Sequence, residues 1–344
     1  MANWRFGIIG CGTVADFHME AIRQIDEAKL TYVSSRNEAK AKEVAEQEKC
    51  AWTTDYHQLL SSPEVDIVCV TTSSGSHATI GLDVLRAGKH LVIEKPIAMH
   101  AQDAEKLVRT AKEMGVQLSV ISQRRFEAQN QAIKRVLDEG GLGKLLLVEV
   151  SLPFFRSQAY YDSAGWRGTR DADGGVLMNQ GIHSLDLLLW FAGEAKSVFG
   201  KIATQTHAME AEDLGLAIVQ FENGALGSIM ASTSMNPGFA ATIHLYGEKG
   251  TIKLEGSTIV HWTVPGWSEP NRTARNTYGG ISDPRDIVSD FHQSQLIDVM
   301  TSIETEHPPL ITGEDGLRAV QLVERIYHSA AQGRELAMKG EHDA

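Results

Sequence analysis

Residues 7–15 read Gly-Ile-Ile-Gly-Cys-Gly-Thr-Val-Ala directly after a short apolar run, and Glu94-Lys95-Pro96 follows further along the chain. In a G-x-G-x-x-A turn the first glycine permits a tight reversal, the second lets backbone approach a pyrophosphate, and the small third residue lets helix pack on strand. Gly10, Gly12 and Ala15 fit those roles. A helix starting near Thr13 and Val14 would aim its unpaired N–H groups and positive dipole end at the phosphates. Proline restricts Lys95 to extended conformations and so fixes where its side chain points. From there its ammonium can hydrogen-bond a substrate hydroxyl and stabilise a developing alkoxide. A glycine turn is common and a lysine in a loop is usually solvated, but the two together indicate a nicotinamide enzyme.

Two further runs carry chemistry. In Gly174-Gly175-Val176-Leu177-Met178-Asn179-Gln180-Gly181-Ile182-His183-Ser184-Leu185-Asp186, Asn179 and His183 are four apart, which puts both on one face of a helix running to about Phe191. His183 can take a hydroxyl proton near neutral pH, and Asp186 is placed to orient it; the plainer reading is a structural histidine on an amphipathic helix. At the end of the second strand, where an NAD enzyme usually carries an acid, stands Ser34-Ser35-Arg36-Asn37. Ser35 and Arg36, with Lys40 a turn on, suit a 2′-phosphate, so NADP is expected ahead of NAD.

The elements that must position these residues are legible from period. Strand-like runs at 5–9, 30–34, 65–71, 90–94 and 117–121 alternate with helical patterns near 14–25, 37–47, 76–87 and 101–114, the sign of a doubly wound parallel sheet. After a helix at about 128–139 come longer alternating runs at 144–152, 197–206, 214–221 and 225–232, which read as an antiparallel sheet. Asn223-Gly224 signals a hairpin, and Gly247 to Gly250 another reversal. Helices return at about 286–304 and 313–332. The expected division is a dinucleotide-binding domain over 1–122, a substrate-binding and oligomerisation domain with the C-terminal helices over 123–334, and a frayed tail over 335–344.

Composition bounds the class. The chain has 344 residues, 42% of them hydrophobic, and a net charge of −12, enough core for two domains and the wrong sign for a nucleic-acid partner. Three cysteines at irregular spacing suggest neither a disulfide framework nor a metal site. With no signal-like segment and no apolar run of spanning length, a soluble cytoplasmic protein with no membrane partner is expected.

Gly-x-Gly-x-x-Ala, Glu-Lys-Pro, the Gly-Gly…Gly-x-His-x-x-Asp run and Gln123-Arg124-Arg125-Phe126 together resemble the glucose-fructose oxidoreductase/inositol dehydrogenase (Gfo/Idh/MocA) family over nearly the whole chain. The resemblance implies an N-terminal Rossmann domain, a C-terminal α/β domain on an open, mostly antiparallel sheet, and oxidation or reduction of sugars and polyols with NAD(P). It makes Lys95 and His183 the catalytic pair and lays Thr72, Ser73, Ser74 and His77 along the nicotinamide. Glu94 and Arg125 join the cofactor-binding set by the same resemblance. Two departures stand out: Asn179 replaces a common aspartate and cannot carry a proton, and Ser73 replaces a common proline.

Tyr160-Tyr161 and Trp166-Arg167-Gly168-Thr169 resemble a subgroup of nucleotide-sugar 3-dehydrogenases of the UDP-N-acetylglucosaminuronate type, which makes Tyr161, Trp166 and Arg167 substrate-binding candidates beside Asn179. A neutral, ring-form sugar or inositol is expected first, because Arg156, Arg167 and Arg170 can be solvated or paired with Asp162, Asp171 and Asp173. The alternatives are that UDP-sugar activity, a glycosidase that uses bound NAD, and a dinucleotide-sensing regulator without turnover. Segments 151–170 and 232–283 are expected to shape the pocket. A homodimer or homotetramer is expected from the open sheet face.

Overall fold

Alternating apolar strands and amphipathic helices build a parallel sheet from the first part of the chain. β1 (Trp4–Ile9) leads through α1 (Thr13–Arg23) to β2 (Ala28–Ser34), α2 (Glu38–Glu48), β3 (Ala51–Thr53), α3 (Tyr56–Leu60) and β4 (Ile67–Val70). α4 (His77–Arg86), β5 (His90–Ile93), α5 (Ala101–Met114) and β6 (Leu118–Val120) complete it. The order is β3-β2-β1-β4-β5-β6, all parallel. Winding reverses between β1 and β4, so a crevice opens at their carboxyl ends. Phe6, Ile8, Ile67, Cys69 and Val92 are buried among helices, as strands covered on both faces require. The sequence missed β3 and α3, which are too short to show a period.

The computed structural model describes residues 4–270 and 290–339. Its contacts define two units, one from 1–123 with 288–317 and the other from 124–287 with 318–344.

The second unit begins with α6 (Ala128–Asp138), β7 (Leu145–Pro153), α7 (Gln158–Asp162) and α8 (Ile182–Ala192). β8 (Ala195–Ala203), β9 (Leu214–Phe221), β10 (Leu226–Ser232), β11 (Thr242–Gly247), β12 (Thr251–Glu255) and β13 (Thr258–Thr263) follow. With β14 (Leu336–Ala337) they form one sheet, β13-β12-β11-β7-β10-β9-β8-β14. It is antiparallel apart from the β7–β10 pair. Asn223-Gly224 makes the β9–β10 hairpin: Gly224 has φ +86° and Asn223 Oδ1 accepts from Ala225 N at 2.9 Å. β9 alternates buried and open positions along its length, so one face is core and the other is not.

The C-terminal helices correct the expected division. α9 (Asp290–Thr305) and α10 (Gly313–Gln332) were assigned by sequence to the second domain, but residues 288–317 group with the first unit. Leu296, Val299 and Met300 complete the core beside Phe6, Ile8 and Met19. Gln295 donates to Ser119 Oγ at 3.0 Å and Val120 O at 2.8 Å. Chain order could not show that burial. From residue 318 onward α10 belongs to the second unit, where Ser329 Oγ accepts from Gly200 N at 3.0 Å. The expected start of this region at 286 and residues 271–283 of the pocket segment lie outside the described residues, as does the tail from 340. No helix among the described residues is long and apolar enough to cross a membrane.

Candidate active site

The glycine turn sits at the β1–β4 switch point. Gly10 has φ +104°, and a Cβ there would lie 2.9 Å from the Thr71 carbonyl, so strain and contact both demand glycine. Thr71 Oγ1 ties the two strand ends together by donating to Gly10 O at 2.6 Å. Gly12 caps α1 without a side-chain hydrogen bond, and a Cβ on it would meet nothing within 4 Å. Thr13 and Val14 on the first helical turn are exposed, while Ala15 is buried against the sheet. Free helix-end amides facing open space fit the pyrophosphate of a dinucleotide.

At the end of β2, Ser35 N donates to Thr53 O at 3.2 Å and Ser35 Oγ accepts from Asn37 N at 3.2 Å. Asn37 in turn caps α2, accepting from Lys40 N at 3.1 Å. Arg36 is exposed between them, and the Lys40 ammonium pairs with Glu43 at 3.2 Å.

Beyond β4, Ser76 Oγ donates to Ser73 O at 2.7 Å and lies 2.8 Å from Thr72 Oγ1, giving the loop with Ser74 a fixed shape. His77 is fully buried, with Nδ1 2.7 Å from Pro96 O and Nε2 3.0 Å from Thr72 O. Burial lowers its pKa, and a neutral ring has one N–H to offer two carbonyls. His77 is thus packed between the Thr72 loop and the Lys95–Pro96 turn, bonding one of the two carbonyls at a time, rather than exposing a polar tip.

Glu94 is buried as well. Its Oε1 lies 2.9 Å from His18 Nε2 and its Oε2 accepts from Lys95 N at 3.2 Å. Lys95 itself is partly exposed at the carboxyl end of β5. Glu94 thus pairs with His18 through one carboxylate oxygen and holds the backbone of Lys95 through the other.

The other candidates lie in the second unit. His183 occupies the first turn of α8, but Asn179 precedes the helix, which corrects the shared helical face. The reason is the turn itself: Asn179 N bonds to Gly175 O, Gly181 N reaches back to Val176 O, and the regular angular step is lost between them. Asn179 Nδ2 instead donates to Asp173, whose other oxygen accepts from Gly168 N at 2.8 Å.

Asp186 faces Arg125. Arg125 Nε and Nη2 donate to its two oxygens at 2.8 and 2.6 Å, both side chains are buried, and the guanidinium lies 5.3 Å from the Trp190 ring centre. Tyr161 is also buried, its hydroxyl 2.8 Å from Thr233 Oγ1, so it supports the site from within. Trp166 is exposed, and Arg167 lies over it at 4.7 Å and over Tyr160 at 4.2 Å. Arg156 Nη1 donates to Phe155 O at 2.7 Å, and Asp162 accepts from Gln158 Nε2 at 2.9 Å.

Sequence reasoning missed His18, Glu212, Asp213 and Tyr327. His18 had a signal: it interrupts the apolar stripe Ala15, Met19, Ile22 of α1. Glu212 and Asp213 had none, since two carboxylates before a strand read as a solvated loop.

Residues 4–122 match the model described as "Oxidoreductase family, NAD-binding Rossmann fold", and 130–253 match the GFO/IDH/MocA C-terminal domain. The myo-inositol 2-dehydrogenase of Thermotoga maritima is 27% identical over 92% of this chain and 93% of its own. The 1,5-anhydro-D-fructose reductase of Ensifer adhaerens is 28% identical over 96% and 97%. Among solved structures, the WlbA dehydrogenase of Bordetella pertussis in complex with NADH and UDP-GlcNAcA superposes with a TM-score of 0.87 at 32% identity, covering 98% of this chain and 99% of that one. A glycine turn at the switch point of a parallel sheet, followed by a second, mostly antiparallel sheet, is thus a shared inheritance, and the chain belongs to the Gfo/Idh/MocA family of oxidoreductases.

Proposed function

We propose that this NAD(P)-dependent oxidoreductase acts on a secondary hydroxyl, or the matching ketone, of a ring-form sugar or cyclic polyol. The observation that carries the reading is Lys95, partly exposed at the end of β5 on the sheet edge that bears the glycine turn, with its backbone held by Glu94. Two relatives named for inositol and anhydrofructose chemistry support the substrate class. Bound nicotinamide supplies the hydride acceptor or donor. Lys95 hydrogen-bonds the substrate oxygen and stabilises its developing charge, His183 takes the hydroxyl proton, and Asn179 orients the substrate through its amide.

Gly10, Gly12, Thr13 and Val14 take the pyrophosphate; Thr72, Ser73 and Ser74 border the nicotinamide. His77, Glu94 and Arg125 act through the segments they anchor. Ser35 and Arg36 favour NADP, since no acid stands with them at the end of β2 and a charge-assisted bond is worth roughly ten- to 150-fold in affinity. Three free cysteines, two of them buried, suit a reducing cytoplasm. The open face of the second sheet suits a homodimer or homotetramer.

The test is a screen of inositols, aldoses and anhydrosugars with NAD and NADP separately. Turnover of a neutral ring polyol, with Arg36→Ala lowering kcat/KM for NADP alone, is the expected result. Higher kcat/KM with NAD and an unchanged NADP value in Arg36→Ala would remove the cofactor preference. A second reading, a nucleotide-sugar acid, draws on Arg167 stacked on Tyr160 and Trp166, a geometry that presents a planar guanidinium to an anion. Turnover of UDP-sugar acids only, lost in Arg167→Ala, would replace the neutral substrate.

A further inference from the structure

Outside the residues already given roles, one buried carboxylate reaches the segment that carries His183. Glu212 directly precedes β9 and is buried. Its backbone oxygen accepts from Val176 N at 2.9 Å and its side-chain Oε1 accepts from Leu177 N at 3.0 Å. The same Oε1 accepts from the Tyr327 hydroxyl at 3.0 Å. Tyr327, on α10, also faces the backbone amides of Gly175 and Met178. The second glycine of Gly174-Gly175 is explained at once: a Cβ at Gly175 would overlap the Glu212 carboxyl. A glycine pair that reads as a flexible turn is in fact the space into which a carboxyl group is fitted.

We infer that Glu212, seated against Gly175 and braced by Tyr327, is the positioning residue for the Gly175–Gly181 turn, and through it for Asn179 and the first turn of α8 with His183. The inference rests on the role proposed for His183. The turn is irregular, with its amides reaching back four and then five residues, so it cannot set its own geometry as a regular helix does. Glu212 supplies two anchors at adjacent amides, Val176 and Leu177, within seven residues of His183.

Burial pushes the Glu212 carboxyl up to about 7, against the opposing pull of the Leu177 amide, Tyr327 and Arg170. A neutral or half-protonated carboxyl still accepts from Leu177, so Glu212→Gln preserves the anchor while Glu212→Ala deletes it. The neighbouring Asp213 points to other partners, accepting from Gln205 N at 2.8 Å, Thr206 N at 2.9 Å and His207 Nδ1 at 2.9 Å. These two consecutive residues thus hold two different segments.

The full-length protein is compared as Glu212→Ala, Glu212→Gln and Tyr327→Phe, with His183→Gln to assign the His183 resonance. Nitrogen NMR of the His183 imidazole is recorded without substrate, alongside cofactor affinity and steady-state kinetics. Glu212→Ala is expected to shift the His183 resonances and lower kcat on the order of 10- to 100-fold with cofactor affinity unchanged, whereas Glu212→Gln stays close to the parent. Unmoved His183 resonances and near-parent kcat in folded Glu212→Ala would overturn the inference. Should Glu212→Ala fail to fold, Tyr327→Phe removes only the bracing hydroxyl, and unmoved resonances there would overturn it equally. Normal kcat in His183→Gln together with shifted resonances in Glu212→Ala would sink the proposed catalytic role of His183 and leave the positioning intact.

Discussion

His18 and Glu94 form a buried pair directly behind Lys95. Burial alone would raise the Glu94 pKa, but the hydrogen bond and charge of His18 hold it well below the ordinary 4.5. Burial would likewise lower His18, and its contacts with Cys69 and Glu94 outweigh that and raise it above the ordinary 6.5. The stability due to Glu94 is complete above the ordinary carboxylate value and is lost as pH falls through its depressed one. That due to His18 is complete below the ordinary imidazole value and is lost as pH rises through its raised one. His18→Gln should therefore destabilise most between those ordinary values, by roughly 3–5 kcal/mol as for other broken buried pairs. The gap between variant and parent should narrow on both sides, which thermal melts across pH will show; a constant gap would exclude the pairing. On the proposed catalytic roles, Lys95→Met and His183→Gln are each expected to lower kcat by about 10²- to 10⁴-fold with cofactor affinity retained. Near-normal kcat where chemistry limits the rate would remove the role from that residue.

The elements carry these residues through turns whose glycines do different work. Gly10 is held at positive φ against the Thr71 backbone, whereas Gly12 has ordinary angles and open space beside it. Gly10→Ala is expected to lower the melting temperature, because strain at such a position costs about 1–3 kcal/mol before the clash with Thr71 is counted. Gly12→Ala should leave the melt nearly unchanged and weaken dinucleotide binding, since its methyl group would occupy the space left for the pyrophosphate. Calorimetry and fluorescence titration separate the two; equal effects on both quantities would mean that the turn does not divide its tasks this way. The strands and helices flanking this turn were readable because long apolar periods fix them. The register break before α8 was not, because hydrogen bonds five residues back leave no trace in the spacing of Asn179 and His183.

For the molecule as a whole, the second sheet carries an apolar face that stands open among the described residues. Leu216 and Ile218 on β9 are 48% and 58% exposed, with Phe199 paired opposite Ile218 and Met230 opposite Leu216. An open face of this kind is expected to close on a second copy of the chain. Sedimentation should find a dimer or tetramer at micromolar concentration, and Ile218→Asp should shift it toward monomer without unfolding it. A stable monomeric parent would contradict this.

What the sequence determined by itself is the family and the fold class: the glycine turn, the Glu-Lys-Pro run and the Gly-x-His run are short and contiguous, so their spacing is legible, and the parallel and antiparallel halves follow from period. Only the tertiary structure decided which of the candidate residues are buried and what they pair with. Glu94, His77, Arg125 and Tyr161 share motifs with exposed residues, yet each is buried and places at least one polar atom on a partner remote in sequence. The same holds for α9, which packs with the first unit although more than a hundred residues of the second intervene. Burial and long-range pairing depend on where distant segments meet, and no local pattern along the chain encodes that.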